Sequence, residues 1–388
     1  MSRTMATLAS AFLASLGVGA PIHYTDGKYV HIETVLADLD YLGIHQIRTG
    51  AWWHGMQSEA AYHIAAQRGV RFDMVVNATD ALGQCLSQMA QFAAAHPGSM
   101  AAIEGPNEIN NFGARYRGMS GAPAAVAFQD DLYAGVAADP ALRGTPVYSY
   151  TMNAGARSIT GYDFAAIHPY AVDGRPPRWF LDNNIGAVPP AKQFVVTETG
   201  YPTLPRQKDG VDGDAQAVYN LDMIFDAASA DAAAVFLYEL LDAYPDPKGV
   251  EVGKHFGLFD YDNRPKPIAL ALHNLTRILA PAGGNFAPGS LDVALPDAEP
   301  SVRTLLLQKA RDVFDLVVWN EAPVWNRQTH SALAAIARPR TIRFGAVQQT
   351  VAVFDPIHGA APIAVYHAAS SVTIALGRDP VVVEASER

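Results

Sequence analysis

Apolar residues recur along the first 280 positions in two alternating rhythms. Val30–Leu42, Ser58–Arg68, Ala81–His96, Ala124–Ala138, Asp214–Ala230 and Pro267–Leu279 carry them at helical spacing, and Pro176–Asn183 is a weaker helical segment. Between these lie short, nearly continuous apolar runs: Ile44–Arg48, Arg71–Val76, Met100–Glu104, Pro146–Tyr150, Asp163–Ile167, Gln193–Thr197 and Ala232–Tyr238. Ser15–Ala20 precedes them as an opening run. Strands that are apolar on both faces and separated by amphipathic helices indicate a parallel sheet covered on its outer side. Eight such units in roughly 250 residues favour an α/β closed (β/α)8 TIM barrel over an open doubly wound sheet.

The grammar changes at Pro281-Ala-Gly-Gly284. From there Pro, Gly and Asn punctuate short runs, several of them alternating: Ser301–Lys309, Val313–Asn320, Leu333–Ile336, Thr341–Phe344, Thr350–Asp355, Ile363–His367 and Ser371–Leu376. Turn signals about every 8–12 residues predict a C-terminal all-β sandwich. The expected division is a catalytic barrel over 1–280 and an accessory β-sandwich over 281–388. At the other end, Arg3 followed by the apolar stretch Ala6–Ala20 has the outline of a signal peptide. The basic region is thin, and cleavage near Ala20 would remove the opening strand. The stretch therefore reads as a short helix running into that strand; an exported form would already have shed its signal.

Composition narrows the function. With 388 residues, 49% hydrophobic and 17% charged, the chain is too apolar for a disordered protein. A net charge of −10 argues against nucleic acid or anionic lipid as a main partner and suits a neutral substrate. One cysteine, Cys85, excludes an intramolecular disulfide and any Cys-rich metal site. No apolar run approaches the ~18–20 residues needed to cross a bilayer. Gly17-Val-Gly19 lacks the third glycine of a dinucleotide fingerprint, and His255 stands where a phosphate loop needs Ser or Thr.

A barrel of this kind gathers its reactive side chains where the strands end. Those positions hold Arg48 and Trp52-Trp53 after strand two, Asn77 after strand three, and Asn107-Glu108 after strand four. Tyr150 follows strand five, His168-Pro-Tyr170 strand six, Glu198 strand seven and Tyr238-Glu239 strand eight. Glu108 and Glu198 are 90 residues apart, yet strands four and seven face each other across an eight-stranded mouth. Two carboxyl groups flanking a cleft supply what glycosidic cleavage requires: one to attack or to activate water, one to protonate the leaving oxygen. Each glutamate alone reads as readily as a structural ion pair; the matched pair in a chain poor in charge does not. Trp52 and Trp53 are candidate sugar platforms, with at least one expected to be exposed, or else plugs between barrel and loop.

Gly105-Pro-Asn107-Glu108 and Thr197-Glu198-Thr199-Gly200-Tyr201 resemble the acid/base and nucleophile signatures of clan A glycoside hydrolases, retaining (β/α)8 enzymes. The likeness is closest to glycoside hydrolase family 39. It extends to Leu16-Gly17-Val18, Leu42-Gly43-Ile44, Ile47-Arg48, His255-Phe-Gly-Leu258, Lys266-Pro267 and Phe314-Asp-Leu-Val-Val-Trp-Asn320. The resemblance implies Glu108 as general acid/base, its pKa raised by the charge of Glu198, and Glu198 as nucleophile. It further implies Asn107 on the sugar 2-hydroxyl, Arg48 holding Glu198 ionised, and Tyr170 or His168 donating to the same carboxylate. The implied substrate is a carbohydrate with a β-linked glycoside, cleaved without metal or organic cofactor. A transglycosylase would use the same residues, and a barrel without turnover would only bind sugar. Tyr238-Glu239 departs from the tryptophan that many clan members carry at the end of strand eight.

Overall fold

The computed structural model describes residues 2–52, 55–152, 160–334 and 336–387. Eight parallel strands close into a barrel in chain order: Leu16–Gly19, Gln46–Gly50, Arg71–Val75, Met100–Glu104, Val147–Tyr148, Phe164–Ile167, Gln193–Thr199 and Val235–Leu237. Closure is made by Leu237 pairing with Val18. The helices between them follow the apolar spacing of the sequence within a few residues. Ile32–Leu42 stops at Gly43, whose left-handed backbone (φ 68°) lets the last carbonyls be capped. Gly213–Ser229 starts at Asp212, whose carboxylate accepts the Ala215 N–H at 2.8 Å.

Alternation along the strands sorts side chains to the two faces. Val18, Ile47, Ile103, Val147, Ile167, Val196 and Leu237 pack outward under the helices in one large core. A smaller layer, Ala102, Tyr148, Ala166, Val195, Ala234 and Phe236, packs separately. Gly17 makes room for Phe236, whose ring a Cβ there would meet at 2.4 Å. Two positions beyond Ala102, Ala166 and Val195 stand Glu104, His168 and Thr197, linked by hydrogen bonds at the C-terminal end of the barrel.

The second domain is a mostly antiparallel sheet ordered Ser2–Met5, Ser290–Ala294, Arg338–Phe354, Val381–Ser386, Val313–Asn320, Val302–Ala310 and Thr7–Leu8, with Ala364–Leu376 paired to Arg338–Phe354. Phe314, Leu316 and Val318 face its own core, and Val317 and Trp319, on the opposite face, join the barrel's core. The chain start corrects the expected boundary. Residues Ser2–Met5 pair antiparallel with the strand at 290–294 and Thr7–Leu8 run parallel to Leu307–Gln308, so this segment belongs to the second sheet and not to a barrel over 1–280. Its partners lie almost 300 positions away, beyond any local pattern. The runs at 341–344 and 350–355 are parts of one long strand, as are those at 363–367 and 371–376. Leu333–Ile336 forms no strand among its described residues. Among the described residues no helix is long and apolar enough to cross a membrane.

The helix Gly213–Ser229 lies between barrel and sheet and buries two acids, Asp222 and Asp226. Burial, reinforced by the neighbouring carboxylate of Glu321, pushes Asp226 up to about 8 despite Arg178 and the Trp319 indole N–H at 3.1 Å. Burial and the charge of Asp226 hold Asp222 well above the usual range, and burial takes Asp315 to about 7. These carboxyls ionise near pH 4 in the unfolded chain, so between about 4 and 8 the folded state binds more protons. Stability is therefore expected to fall as pH rises through that window, by about 1.4 kcal/mol per unit for each proton retained. Acids held low, such as Asp246 at about 2, act in the opposite sense only below pH 4. Thermal unfolding should give a higher midpoint at pH 5 than at pH 8; a midpoint that climbs over this interval contradicts the assignment.

Candidate active site

A cleft of about 470 Å³ opens over the C-terminal ends of the strands. Its walls include Arg48, Asn77, Asn107, Glu108, Tyr170, Glu198 and Tyr238. Glu198 owes its direction to an irregularity. Val196 pairs with Val235 and Thr199 with Leu237, so the seventh strand carries one residue more than its neighbour between these pairs. Such a bulge re-aims side chains. Both Thr197 and Glu198 consequently meet groups of the site: the Thr197 hydroxyl lies 3.0 Å from His168 Nε2, and Glu198 is held by Arg48 and Tyr170.

Arg48 is the hub. Its Nε donates to Glu104 Oε2 at 2.6 Å and its Nη2 to Glu104 Oε1 at 2.9 Å and Asn107 Oδ1 at 2.8 Å, while Nη1 donates to Glu198 Oε1. Burial works against the guanidinium charge, but Glu104 and Glu198 outweigh it and hold the pKa above its ordinary value. Asp73, beside Glu104, is pushed well up by burial and by that neighbour's charge. One buried cation thus serves two carboxyl groups, and the bidentate fork to Glu104 fixes the direction in which Nη1 reaches Glu198. The Tyr170 hydroxyl donates to the other oxygen, Glu198 Oε2, at 2.8 Å.

Glu108 sits on a strained piece of backbone. Its φ of 39° and ψ of 61° are left-handed, a conformation L side chains rarely adopt, and its N–H is anchored on Thr151 Oγ1 at 2.8 Å. The turn leading to it passes Gly105, where a Cβ would fall 1.8 Å from Gln129 Oε1. His168 Nδ1 lies 2.9 Å from Glu108 Oε1 and 3.8 Å from Glu198 Oε2. Asn111 donates to Glu108 Oε2 at 2.7 Å. One oxygen of each glutamate and a His168 nitrogen lie within 4.8 Å of one another. The hydrogen bond from His168, against the effect of burial, holds the Glu108 carboxyl below the usual range, helped by the ring's charge, Asn111 and Arg48. This reverses the direction expected from Glu198 alone, because His168 stands at hydrogen-bond distance from Glu108.

No protein-family model matches the sequence, and no curated protein is similar to it. Solved structures match it closely in shape. A family 39 glycoside hydrolase from the gut symbiont Bacteroides cellulosilyticus WH2 superimposes with a TM-score of 0.65 at 13% identity, over 96% of this chain and 81% of that one. A monomeric beta-xylosidase from Caulobacter crescentus CB15 gives 0.59 at 14% identity, over 99% and 97%. The GH39 enzyme from Xanthomonas axonopodis pv. citri gives 0.58 at 14%, over 99% and 96%. This chain has their fold.

Within that fold three expected site residues fall away from the cleft. Trp52 is only 2% exposed, stacked on Tyr62 at 4.3 Å and edge-on to Phe92 at 4.8 Å, so it plugs the gap behind its loop and offers no platform. Trp53 lies outside the described residues. Tyr150 is buried in the barrel's outer core, its backbone N–H donating to Gln129 Oε1. Glu239 turns from the cleft to accept the Tyr29 hydroxyl at 3.0 Å, and burial raises it to about 8, leaving Tyr238 as the residue after strand eight that faces the cleft. Asn77 lines the cleft and accepts the Asn107 N–H at 3.3 Å.

Other residues enter the site unannounced by motif. Glu104, completely buried, shares Arg48 with Glu198; a carboxylate closing the apolar run Met100–Glu104 was the available signal. His23 lines the cleft from the loop after the first strand. Its Nδ1 accepts the Gly50 N–H at 3.1 Å, and burial with the nearby Arg48 lowers the ring to about 4. The ring is therefore neutral, with its proton on Nε2 as a donor. Tyr24, Phe112 and Phe256 add aromatic surface along the walls.

Proposed function

We propose that the protein is a retaining glycoside hydrolase acting on a β-linked glycoside or polysaccharide. The observation that carries this reading is the pair of glutamates whose carboxylate oxygens approach within 4.8 Å across an open cleft, one of them clamped by a buried arginine. Retaining glycosidases separate their carboxyl groups by about 5–5.5 Å, while inverting ones leave about 6.5–9.5 Å for a water molecule. The spacing here favours direct attack.

In this reading Glu198 attacks the anomeric carbon as the bond to the leaving oxygen breaks, and Glu108 gives that oxygen a proton. His168 Nδ1, 2.9 Å from Glu108 Oε1, holds that carboxyl in place. Loss of negative charge from Glu198 in the covalent glycosyl-enzyme removes one of the carboxylates facing the ring. Glu108, now a carboxylate, takes a proton from water, which attacks the anomeric carbon and releases Glu198. Asn107, its Oδ1 fixed by Arg48, leaves its amide N–H₂ for the sugar's 2-hydroxyl, a contact that strengthens as positive charge develops on the ring. Tyr238, Phe256 and Tyr24 are the flat surfaces available for sugar stacking.

Proton NMR of a hydrolysis mixture tests the stereochemistry. With an aryl β-glycoside that the protein turns over, the first product signal should be the β-anomer, with the α-anomer appearing later by mutarotation. Release of the α-anomer first would exclude double displacement.

A further inference from the structure

Across the loop that follows the sixth strand, a second cavity of about 500 Å³ lies beside the catalytic cleft, between barrel and sandwich. Gly174 and Arg175 wall it from the barrel, and Trp325, Asn326, Arg327 and Gln328 from the other domain. The two hollows share one loop: Ala171 and Val172 line the cleft, Gly174 and Arg175 the second cavity. Asp209, on the cleft wall, accepts the Asp173 N–H at 3.0 Å and ties the far side of the loop down.

The local charge runs against that of the molecule. Arg175, Lys208 and Arg327 converge on the single carboxylate of Asp173, at 3.3, 3.6 and 3.8 Å. Counting Asp209 as well, three cations stand against two acids in a chain of net charge −10. All three cationic side chains are exposed and remain open to a further anion. The position of Arg175 is fixed by its surroundings. Asp173 and Gly174 are both left-handed (φ 58°), and at Gly174 a Cβ would meet the Trp325 ring at 2.4 Å. The Arg175 carbonyl accepts the Tyr201 hydroxyl at 2.8 Å, and its guanidinium lies 5.7 Å from the Phe180 ring. Phe180 in turn meets Trp179 at 4.8 Å, and Trp179 is 62% exposed, an unusual state for a tryptophan.

A forked guanidinium takes both oxygens of a carboxylate, and the apolar face of a pyranose packs on an aromatic ring such as Trp325, on the cavity wall. A uronic acid unit offers both features on one ring. We propose that this second cavity is a subsite for a carboxylate-bearing sugar, so that the glycan whose scissile bond enters the cleft is an acidic one. The expectation of a neutral substrate, drawn from net charge, gives way to the local field: the acidic surface elsewhere repels such a chain and this rim receives it.

The proposal rests on the glycosidase reading for the bond that enters the cleft, but its test needs no turnover. Oligosaccharides from glucuronoxylan, pectate and alginate, each beside its carboxyl-reduced counterpart, are titrated calorimetrically into the E198Q protein. At least one acidic chain should bind about tenfold more tightly than its reduced form at low salt, and the margin should shrink at high salt, as exposed charge pairs are screened. The K208A/R327Q variant, altered only at exposed side chains, should lose that margin. Equal binding of acidic and reduced chains, no binding of any acidic chain, or a margin that survives K208A/R327Q overturns the proposal. Failure of the glycosidase reading would show separately, as undiminished turnover by E198Q, and leaves this comparison readable.

Discussion

Glu198→Ala and Glu108→Ala are each expected to cut turnover of an aryl β-glycoside by about 10⁴-fold, and azide is expected to rescue them with products of opposite configuration. Without the Glu198 carboxylate a cavity faces the anomeric carbon from the nucleophile's side. Azide entering there attacks as Glu108 still protonates the leaving oxygen, giving an α-glycosyl azide. In the Glu108 variant the covalent intermediate still forms from a dinitrophenyl glycoside, whose leaving group needs no proton. Azide then attacks from the face that Glu108 had guarded and yields a β-glycosyl azide. Folding should survive in both cases. Arg48 keeps its two bonds to Glu104, and Glu108 is partly exposed at the rim. Product configuration is read by NMR; the same anomer from both variants, or turnover near that of the parent, would remove these residues from their roles.

Much of the barrel was legible because each of its elements announces itself locally. The helix Pro267–Ile278 begins with proline at its first position, and Ile32–Leu42 is closed by Gly43; the strands between are apolar runs of the right length. What escaped depends on distant partners. Ser2–Leu8 is too short and too mixed to show a period, and it becomes strand only because the edges of the second sheet accept it. The long strand Arg338–Phe354 contains Gly345 and a register shift between Arg343 and Gln348, which split its pattern into two apparent strands.

The site divides the same way. Residues whose backbone position decides where they point, Arg48, Asn107, Glu108 and Glu198, follow from where strands end, although the bulge that turns Glu198 inward leaves no mark in composition. Side chains with two equivalent directions do not follow. In Trp52-Trp53 and Tyr238-Glu239 one neighbour faces the cleft only if the other does not, and the choice rests on packing partners: Tyr62 and Phe92 draw Trp52 inward, and Tyr29 draws Glu239. The direction of the Glu108 shift was misjudged for a related reason. Glu198 was the only neighbour the motifs supplied, whereas His168, at hydrogen-bond distance, exerts the larger effect.

Replacing Arg48 with methionine should be the most damaging change outside the two glutamates. The side chains are of similar length, so the loss is one of charge and four hydrogen bonds rather than of volume. Glu104 and Glu198 would then share a buried space, near Asp73, with no cation between them. Breaking a buried ion pair by removing one partner costs about 3–5 kcal/mol, because the remaining charge is left uncompensated. The system relieves that cost by protonating a carboxyl, and each proton taken up at Glu198 removes a nucleophile. Two readouts should move together. The acid limb of the pH–rate profile should shift upward, with kcat/KM at neutral pH falling by about 10²-fold or more, the scale set by removing one preorganised charge from a dry site. The unfolding midpoint should drop most at pH 8 and recover toward pH 5, since an acid whose folded pKa has risen costs stability only above its unfolded value. Lysine should rescue little: a single ammonium cannot fork onto Glu104 while reaching Glu198 and Asn107. An acid limb left in place by Arg48→Met would mean that Glu198 does not depend on this arginine for its charge, and that its other neighbours, Tyr170 and His168, suffice.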